Sequence, residues 1–292
     1  MDPLPSRSEI ANAVFSLSDF NGRIRASGPH IGGAFLERRL FGGQAVSQLY
    51  AAFRRRFSGE TLSCISYKFV APGSVSEPLD FDFERFGEMT RGYVYQKNKL
   101  IGIAFLRQND IKALLEPRRA EHLTWVPEPE GMVQELSFLQ QMGTGHREHI
   151  MRLLNITIFE MHIVEFGTKR MMFWGRVHSE VRDIVRENNG IDLVVMLSDY
   201  FIVQVASNHF LSFGLHLLAG ASLNHTIHFH QSPQMLNVQG FYLLEIELES
   251  VAWNRAILRG HVYDRDLRLV LTVDQEAFAS PQSISKSSKA KL

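Results

Sequence analysis

Two stretches of the chain are apolar on nearly every helical face, which marks a helix enclosed by other elements rather than lying on a surface. The first spans residues 44–56 behind Gly42-Gly43, and the second spans 191–207 behind Asn188-Asn189-Gly190. Each is accompanied by segments in which apolar and polar residues alternate with the period of half-buried strands. After the first helix these are residues 63–70, 79–86, 92–96 and 100–107. Around the second they are 156–166, 170–177, 222–230, 242–252, 257–263 and 269–278. Asp264 to Leu267 reads as the turn that makes a hairpin of the last two. The two helices start about half a chain apart, so the simplest plan is an α+β unit used twice: a long helix wrapped by an antiparallel sheet. The expected division is one unit over 1–110, a linker with some helix over 111–150 carrying Pro117, Pro127 and Pro129, a second unit over 151–280, and a tail over 281–292.

Composition narrows the function classes. A chain of 292 residues, 45% hydrophobic and 21% charged, has enough apolar material for a packed core in each unit. Lys and Arg together equal Asp and Glu at 31 each, so no net positive field exists to condense on a phosphate backbone, and nucleic acid is excluded as a partner. Cys64 is the only cysteine, which rules out an internal disulfide and a thiolate metal cluster and fits a reducing compartment. No uninterrupted apolar run reaches the length of a bilayer span, and residues 1–15 carry acids and prolines where a signal peptide would be basic and then apolar. A soluble, non-secreted protein without membrane insertion is expected. The Ser- and Lys-rich tail ends in Ala290-Lys291-Leu292, which has the small-basic-leucine pattern of a peroxisomal address, so the peroxisome matrix is the expected location and its import receptor an expected partner.

Three loci carry candidate chemistry. On a helix, Asp199 would have Val195, Met196, Ile202 and Val203 as its neighbours three and four positions away, with no Lys or Arg to pair with. Such a carboxylate faces either a polar cavity, an exposed stripe or a backbone amide. In 221–230, a strand would project Ser222, Asn224, Thr226, His228 and His230 on one side. Of the three histidines there, only His228 and His230 share a face, and no acid stands at ligand spacing, so no metal is expected. In 272–278, Gln275 turns the opposite way from Asp274 and Glu276, as an amide with a polar partner inside would. There is no G-x-S-x-G turn, phosphate loop or G-x-G-x-x-G, and Cys64 has no base beside it.

Together these segments resemble the acyl-CoA thioesterase II family, whose peroxisomal members are double hot dog proteins. Arg39-Leu-Phe-Gly-Gly-Gln44 matches R-x-F-G-G-Q at the start of the first helix, and Ser66-Tyr67 with Ala71-Pro72-Gly73 resembles S-Y-F-L-R-P-G. Leu197-Ser198-Asp199 resembles Y-A-S-D, while 221–230 and Val273-Asp-Gln-Glu276 resemble A-T-I-D-H-S-x-W-F-H and V-Q-E-G. The similarity covers about 35–108 and 155–279. It implies hydrolysis of a fatty acyl-CoA, without a cofactor, by a water held between Asp199, Ser222 and Gln275. Asp199 would be the base, and the other two would fix the water's orientation. Backbone N–H groups at Gly43 and Gln44 are physical candidates for the oxyanion donors, and Asn224, His225 and Tyr67 are candidates for the substrate pocket.

Departures from the pattern are Asn224-His225-Thr226 for D-H-S, His228 for Trp, Ala71 for Arg, and a short 87–92 turn. They bear on substrate preference and coenzyme A affinity. A homodimer through open sheet edges is expected. The rival readings are a non-catalytic acyl-CoA sequestering protein and an enoyl-CoA hydratase on the same fold.

Overall fold

The structure, a computed structural model, describes residues 5–33, 36–108, 118–129, 157–185, 190–232 and 236–283. The N-terminal half provides β1 (Leu17–Phe20), β2 (Arg23–Ala26), β3 (Gly32–Gly33), β4 (Leu36–Leu40), β5 (Leu62–Phe69), β6 (Leu79–Phe86), β7 (Met89–Gln96) and β8 (Lys99–Gln108). The C-terminal half provides β9 (Phe159–Phe166), β10 (Arg170–Val177), β11 (Leu215–Phe229), β12 (Tyr242–Ala252), β13 (Arg255–Tyr263) and β14 (Leu269–Ser283). Apart from the small β3–β4 pair, these form one antiparallel sheet in the order β1-β2-β6-β7-β8-β5-β11-β14-β13-β12-β10-β9. Every strand expected from alternation is present, and three, at 79–86, 170–177 and 242–252, have the expected bounds. The turn at Asp264 is closed by Leu267 N–H on the Asp264 carbonyl at 3.0 Å.

The two halves meet at β5 and β11. That seam is short, with five residue pairs from Lys68–Asn224 to Cys64–His228, against thirteen between β11 and β14. Behind each half-sheet runs a helical stretch, unbroken in the first half and interrupted in the second, which gives the double hot dog architecture. The helix α1 (Arg7–Phe15) packs against α2 (Gly42–Arg56), which buries every residue from Gly43 to Phe53. Basic Arg54, Arg55 and Arg56 complement the negative end of the α2 dipole. One hydrophobic core runs through both halves, from Leu49 and Phe53 on α2 to Val194, Met196 and Val205 of the second helical stretch.

Sequence periodicity alone suggested that this second stretch was one helix over 191–207, but it is two. α3 (Gly190–Leu197) stops, Ser198 to Phe201 form a tight break, and α4 (Ile202–Ser212) resumes. At the break the regular ladder gives way: Asp199 N–H reaches Met196 O at 3.4 Å and Tyr200 N–H reaches Leu197 O at 3.0 Å. Phe201 has φ of 59°, a left-handed conformation that costs a non-glycine residue about 1–2 kcal/mol. Its ring packs edge-on against Phe173 at 5.3 Å, which holds the break in place.

The expectation about spanning stretches needs one amendment. Residues Gly190–Ser212 are long and apolar enough to cross a membrane by length and composition, yet most of the stretch is buried inside the fold. The broken backbone and the surrounding sheet make it a core element.

The helix α1 and the strands β1 to β4 lie outside the elements expected from periodicity. Ser6 caps α1, accepting from Glu9 N–H at 3.2 Å while its own N–H donates to the Glu9 carboxylate at 2.7 Å. Of the 111–150 linker, residues 118–129 are described. They lie on the outer face of β10, β12 and β13, where Ala120 and Leu123 pack with Trp174, Leu243 and Tyr263. Trp174 Nε1–H donates to Pro127 O at 2.9 Å.

Candidate active site

The break between α3 and α4 carries Asp199 to the start of α2. Asp199 is 7% exposed, and its Oδ1 accepts from Ser222 Oγ at 3.3 Å and from Gln275 Nε2 at 3.1 Å. A second proton on the same Gln275 nitrogen goes to Ser222 Oγ at 2.8 Å. Gly43 N–H, in the first turn of α2, also donates to the carboxylate. Burial pushes the Asp199 carboxyl above its usual range. The positive charge available to His225 opposes that shift most, followed by the hydrogen bonds from Gln275, Gly43 and Ser222. The three predicted residues are thus brought together, with Asp199 placed by a helix break rather than on a helix face.

How Ser222 reaches this point required a feature invisible to alternation. The register of β11 against β14 shifts between Ser222, which pairs with Ala277, and Asn224, which pairs with Glu276. This bulge turns Ser222 inward with His225 and Ile227, and leaves Asn224, Thr226 and His228 on the other face. The single polar face predicted for 222–230 is therefore split. Asn224 bonds Glu276, its Nδ2 donating at 3.2 Å and its Oδ1 accepting from Glu276 N–H at 2.9 Å. His230 bonds Thr272, and His228 faces Asp274 at 3.8 Å. Among the described residues no group of three or more His, Cys, Asp or Glu is placed to hold a metal ion.

Asp199 and Ser222 line one end of a largely apolar cavity of about 400 Å³, which is in the range of small-molecule sites. Its walls include Phe41, Phe69, Val70 and Phe201, together with Ala71. Arg39, which is exposed, also lines it. Of the predicted pocket residues, Asn224, His225 and Tyr67 do not line it. Asn224 points to the outer face. Tyr67, 1% exposed, packs at a tilt against the Phe69 ring and presses its hydroxyl against Gly102, where any Cβ would be 1.8 Å away. His225 is fully buried behind Gln275. The Gln44 side chain accepts from Ile31 N–H at 2.8 Å and holds the 29–31 segment, a task separate from that of its backbone N–H in the first turn of α2. Gly42 was missed as a site residue: a Cβ there would lie 2.8 Å from Asp199 Oδ2, so only glycine leaves the carboxylate its place.

A carboxylate held by a hydroxyl and an amide, beside an apolar cavity at a helix start, has the chemistry to polarise a water molecule. Residues 122–279, more than half of the chain, match the acyl-CoA thioesterase C-terminal domain family. The chain belongs to the acyl-CoA thioesterases. The activity that goes with the family is hydrolysis of an acyl-CoA thioester. In three dimensions the thioesterase is similar to the tesB protein of Mycobacterium avium subspecies paratuberculosis, with a TM-score of 0.71 and 20% identity over 94% of this chain and 100% of that one. It is similar also to acyl-CoA thioesterase II TesB2 of Mycobacterium marinum, with a TM-score of 0.67 and 18% identity over 94% and 99%. The dehydratase domain of PpsC from Mycobacterium tuberculosis, solved with C12:1-CoA, has a TM-score of 0.55 and 10% identity over 94% and 100%. No curated protein matches the thioesterase in sequence.

Proposed function

We propose that the thioesterase hydrolyses fatty acyl-CoA through a water activated by Asp199 and oriented by Ser222 and Gln275. Water attacks the thioester carbonyl carbon while the Asp199 carboxylate takes one of its protons. The tetrahedral intermediate then collapses with loss of the C–S bond, and the proton held by Asp199 passes to the departing coenzyme A sulfur. The positive end of α2, with the first-turn N–H group of Gln44, faces the developing oxyanion, while the Gly43 N–H stays on the Asp199 carboxylate. The acyl chain fills the apolar cavity, and the exposed Arg39 meets the phosphates of coenzyme A.

The observation that carries this reading is the closed hydrogen-bond triangle of Asp199, Ser222 and Gln275 at the cavity's end. Its test is thiol release from acyl-CoAs of increasing chain length. Asp199→Asn should lower turnover by about 10²- to 10⁴-fold with acyl-CoA binding retained, and unchanged turnover would sink the mechanism. Hydration of an enoyl-CoA is the weaker reading, because the one histidine beside Asp199 is sealed behind Gln275 and does not line the cavity.

The proposal extends to place and assembly. Ala290, Lys291 and Leu292, which lie outside the described residues, would address the enzyme to the peroxisome through the import receptor. Among the described residues, β1 and β9 each pair on one side only, so an open edge is available to a second copy, and sedimentation equilibrium reads whether a homodimer forms.

A further inference from the structure

His225 is the one fully buried ionisable side chain at the site that the proposed chemistry leaves unused. Its Nδ1 makes a short contact with Gln275 Oε1, and its Nε2 stands 3.0 Å from Ser198 Oγ. The ring is therefore held at both nitrogens, between the helix break that carries Asp199 and the strand that carries Gln275.

The orientation of the Gln275 amide decides whether the triangle can exist. With Nε2 toward Asp199 and Ser222, both amide protons have acceptors. A flipped amide would set Oε1 against the Asp199 carboxylate, acceptor against acceptor, and Ser222 would lose its donor. The two orientations interchange unless something on the far side of the amide prefers one. That far side is His225 Nδ1. A proton on Nδ1 can be donated only to Oε1, so it selects the productive orientation, whereas a bare Nδ1 would attract the NH₂ group and select the flipped one. Ser198 Oγ gives its own proton to Val195 O at 2.7 Å and so stands as an acceptor toward Nε2, and a ring that donates from both nitrogens passes the proton order from His225 through Gln275 to the carboxylate.

We propose that His225 is a positioning residue: by donating from Nδ1 to Gln275 Oε1 it locks the amide that holds Ser222 and the carboxylate of Asp199 in register for water activation. This rests on the water-activation reading above and adds to it a residue that touches neither substrate nor water.

Two measurements test it. In the intact enzyme, ¹⁵N-labelled histidine should show His225 with a proton on Nδ1 at the pH of activity, and a bare Nδ1 overturns the proposal without any variant. In kinetics, His225→Leu removes the donor, and a misoriented water should cost about 10²-fold in kcat with KM within twofold. His225→Asn returns an N–H donor on a shorter side chain near the Nδ1 position, and should recover at least about tenfold of that loss. If His225→Leu retains kcat within twofold while Asp199→Asn abolishes turnover, the positioning role fails and the water-activation reading stands. If Asp199→Asn is itself without effect, the underlying reading has failed. Should His225→Leu not fold, the ¹⁵N spectrum of the unaltered enzyme still decides the matter.

Discussion

Replacing Gly42 by alanine separates chemistry from stability at this site. Gly42 opens α2, and alanine is the better helix former by up to about 1 kcal/mol, so nothing in the backbone disfavours the change. The new methyl would stand 2.8 Å from Asp199 Oδ2, and 2.9 and 3.2 Å from two carbons of the Phe69 ring. Restoring an ordinary separation of 3.4 Å requires the carboxylate to retreat by about 0.6 Å. Asp199 Oδ1 bonds Ser222 and Gln275 at 3.3 and 3.1 Å, so a shift of that size stretches at least one of them past hydrogen-bond length. Misplacement on this scale costs roughly 10- to 100-fold in rate, or about 1.4–2.7 kcal/mol in the barrier. Initial rates of thiol release should fall by that factor, while the loss in Tm should be small, the stretched hydrogen bond being set against the better helix former. A Gly42→Ala enzyme with turnover within twofold of the unaltered protein would refute the claim that the carboxylate's position governs the reaction. Gly43→Ala is the contrast: its methyl would meet Met196 O at 2.7 Å and the Phe41 ring at 2.8 Å, so α2 and α3 must separate and Tm must drop.

Other consequences are equally measurable. Burial pushes the carboxyl of Asp192 up to about 7 against the pull of Arg54, which it meets at 2.5 Å. A folded value raised above the ordinary 3.8 means that its contribution to stability is full below that pH and is lost as the pH climbs to about 7. Asp192→Asn should therefore flatten the fall in Tm between pH 4 and 7, and an unchanged slope assigns the fall to other groups. Arg39→Ala should raise KM about tenfold with kcat little changed, and the difference should shrink as salt is added, since it comes from an exposed, screened charge. Removing Ala290, Lys291 and Leu292 should leave the enzyme in the cytosol, and import of the shortened chain without a full-length partner copy would contradict the address.

Periodicity locates β5 to β14 and α2 because both faces of that part of the sheet and the whole circumference of α2 have a definite hydrophobic pattern. It failed where one residue departs from its element. The break at Ser198 to Phe201 lies in a stretch that is apolar on both sides of Asp199, and apolar pattern reports burial rather than backbone path. The bulge at Ser222 inverts the facing of a single residue, and a strict two-residue period put it with Asn224 on the wrong side. The capping pair Ser6 and Glu9 was present in the sequence as S-x-x-E and would have marked α1. Tyr67 and Asn224 were assigned to the pocket on resemblance. The register decides against them: Tyr67 pairs with His225 across the seam and turns into the core, while Asn224 turns away.

The site straddles that seam. Asp199, Ser222 and Gln275 come from the second half, while Gly42, Phe69 and Arg39 come from the first, and the strands that join the two share only five residue pairs. Small displacements of one half against the other shift the donor of Gly43 relative to its acceptor before either half loses its own hydrogen bonds. Heat or denaturant should therefore silence the enzyme well before circular dichroism records any loss of strand, and amide exchange at Ser66 and Ile227 should track activity more closely than exchange in the middle of β13.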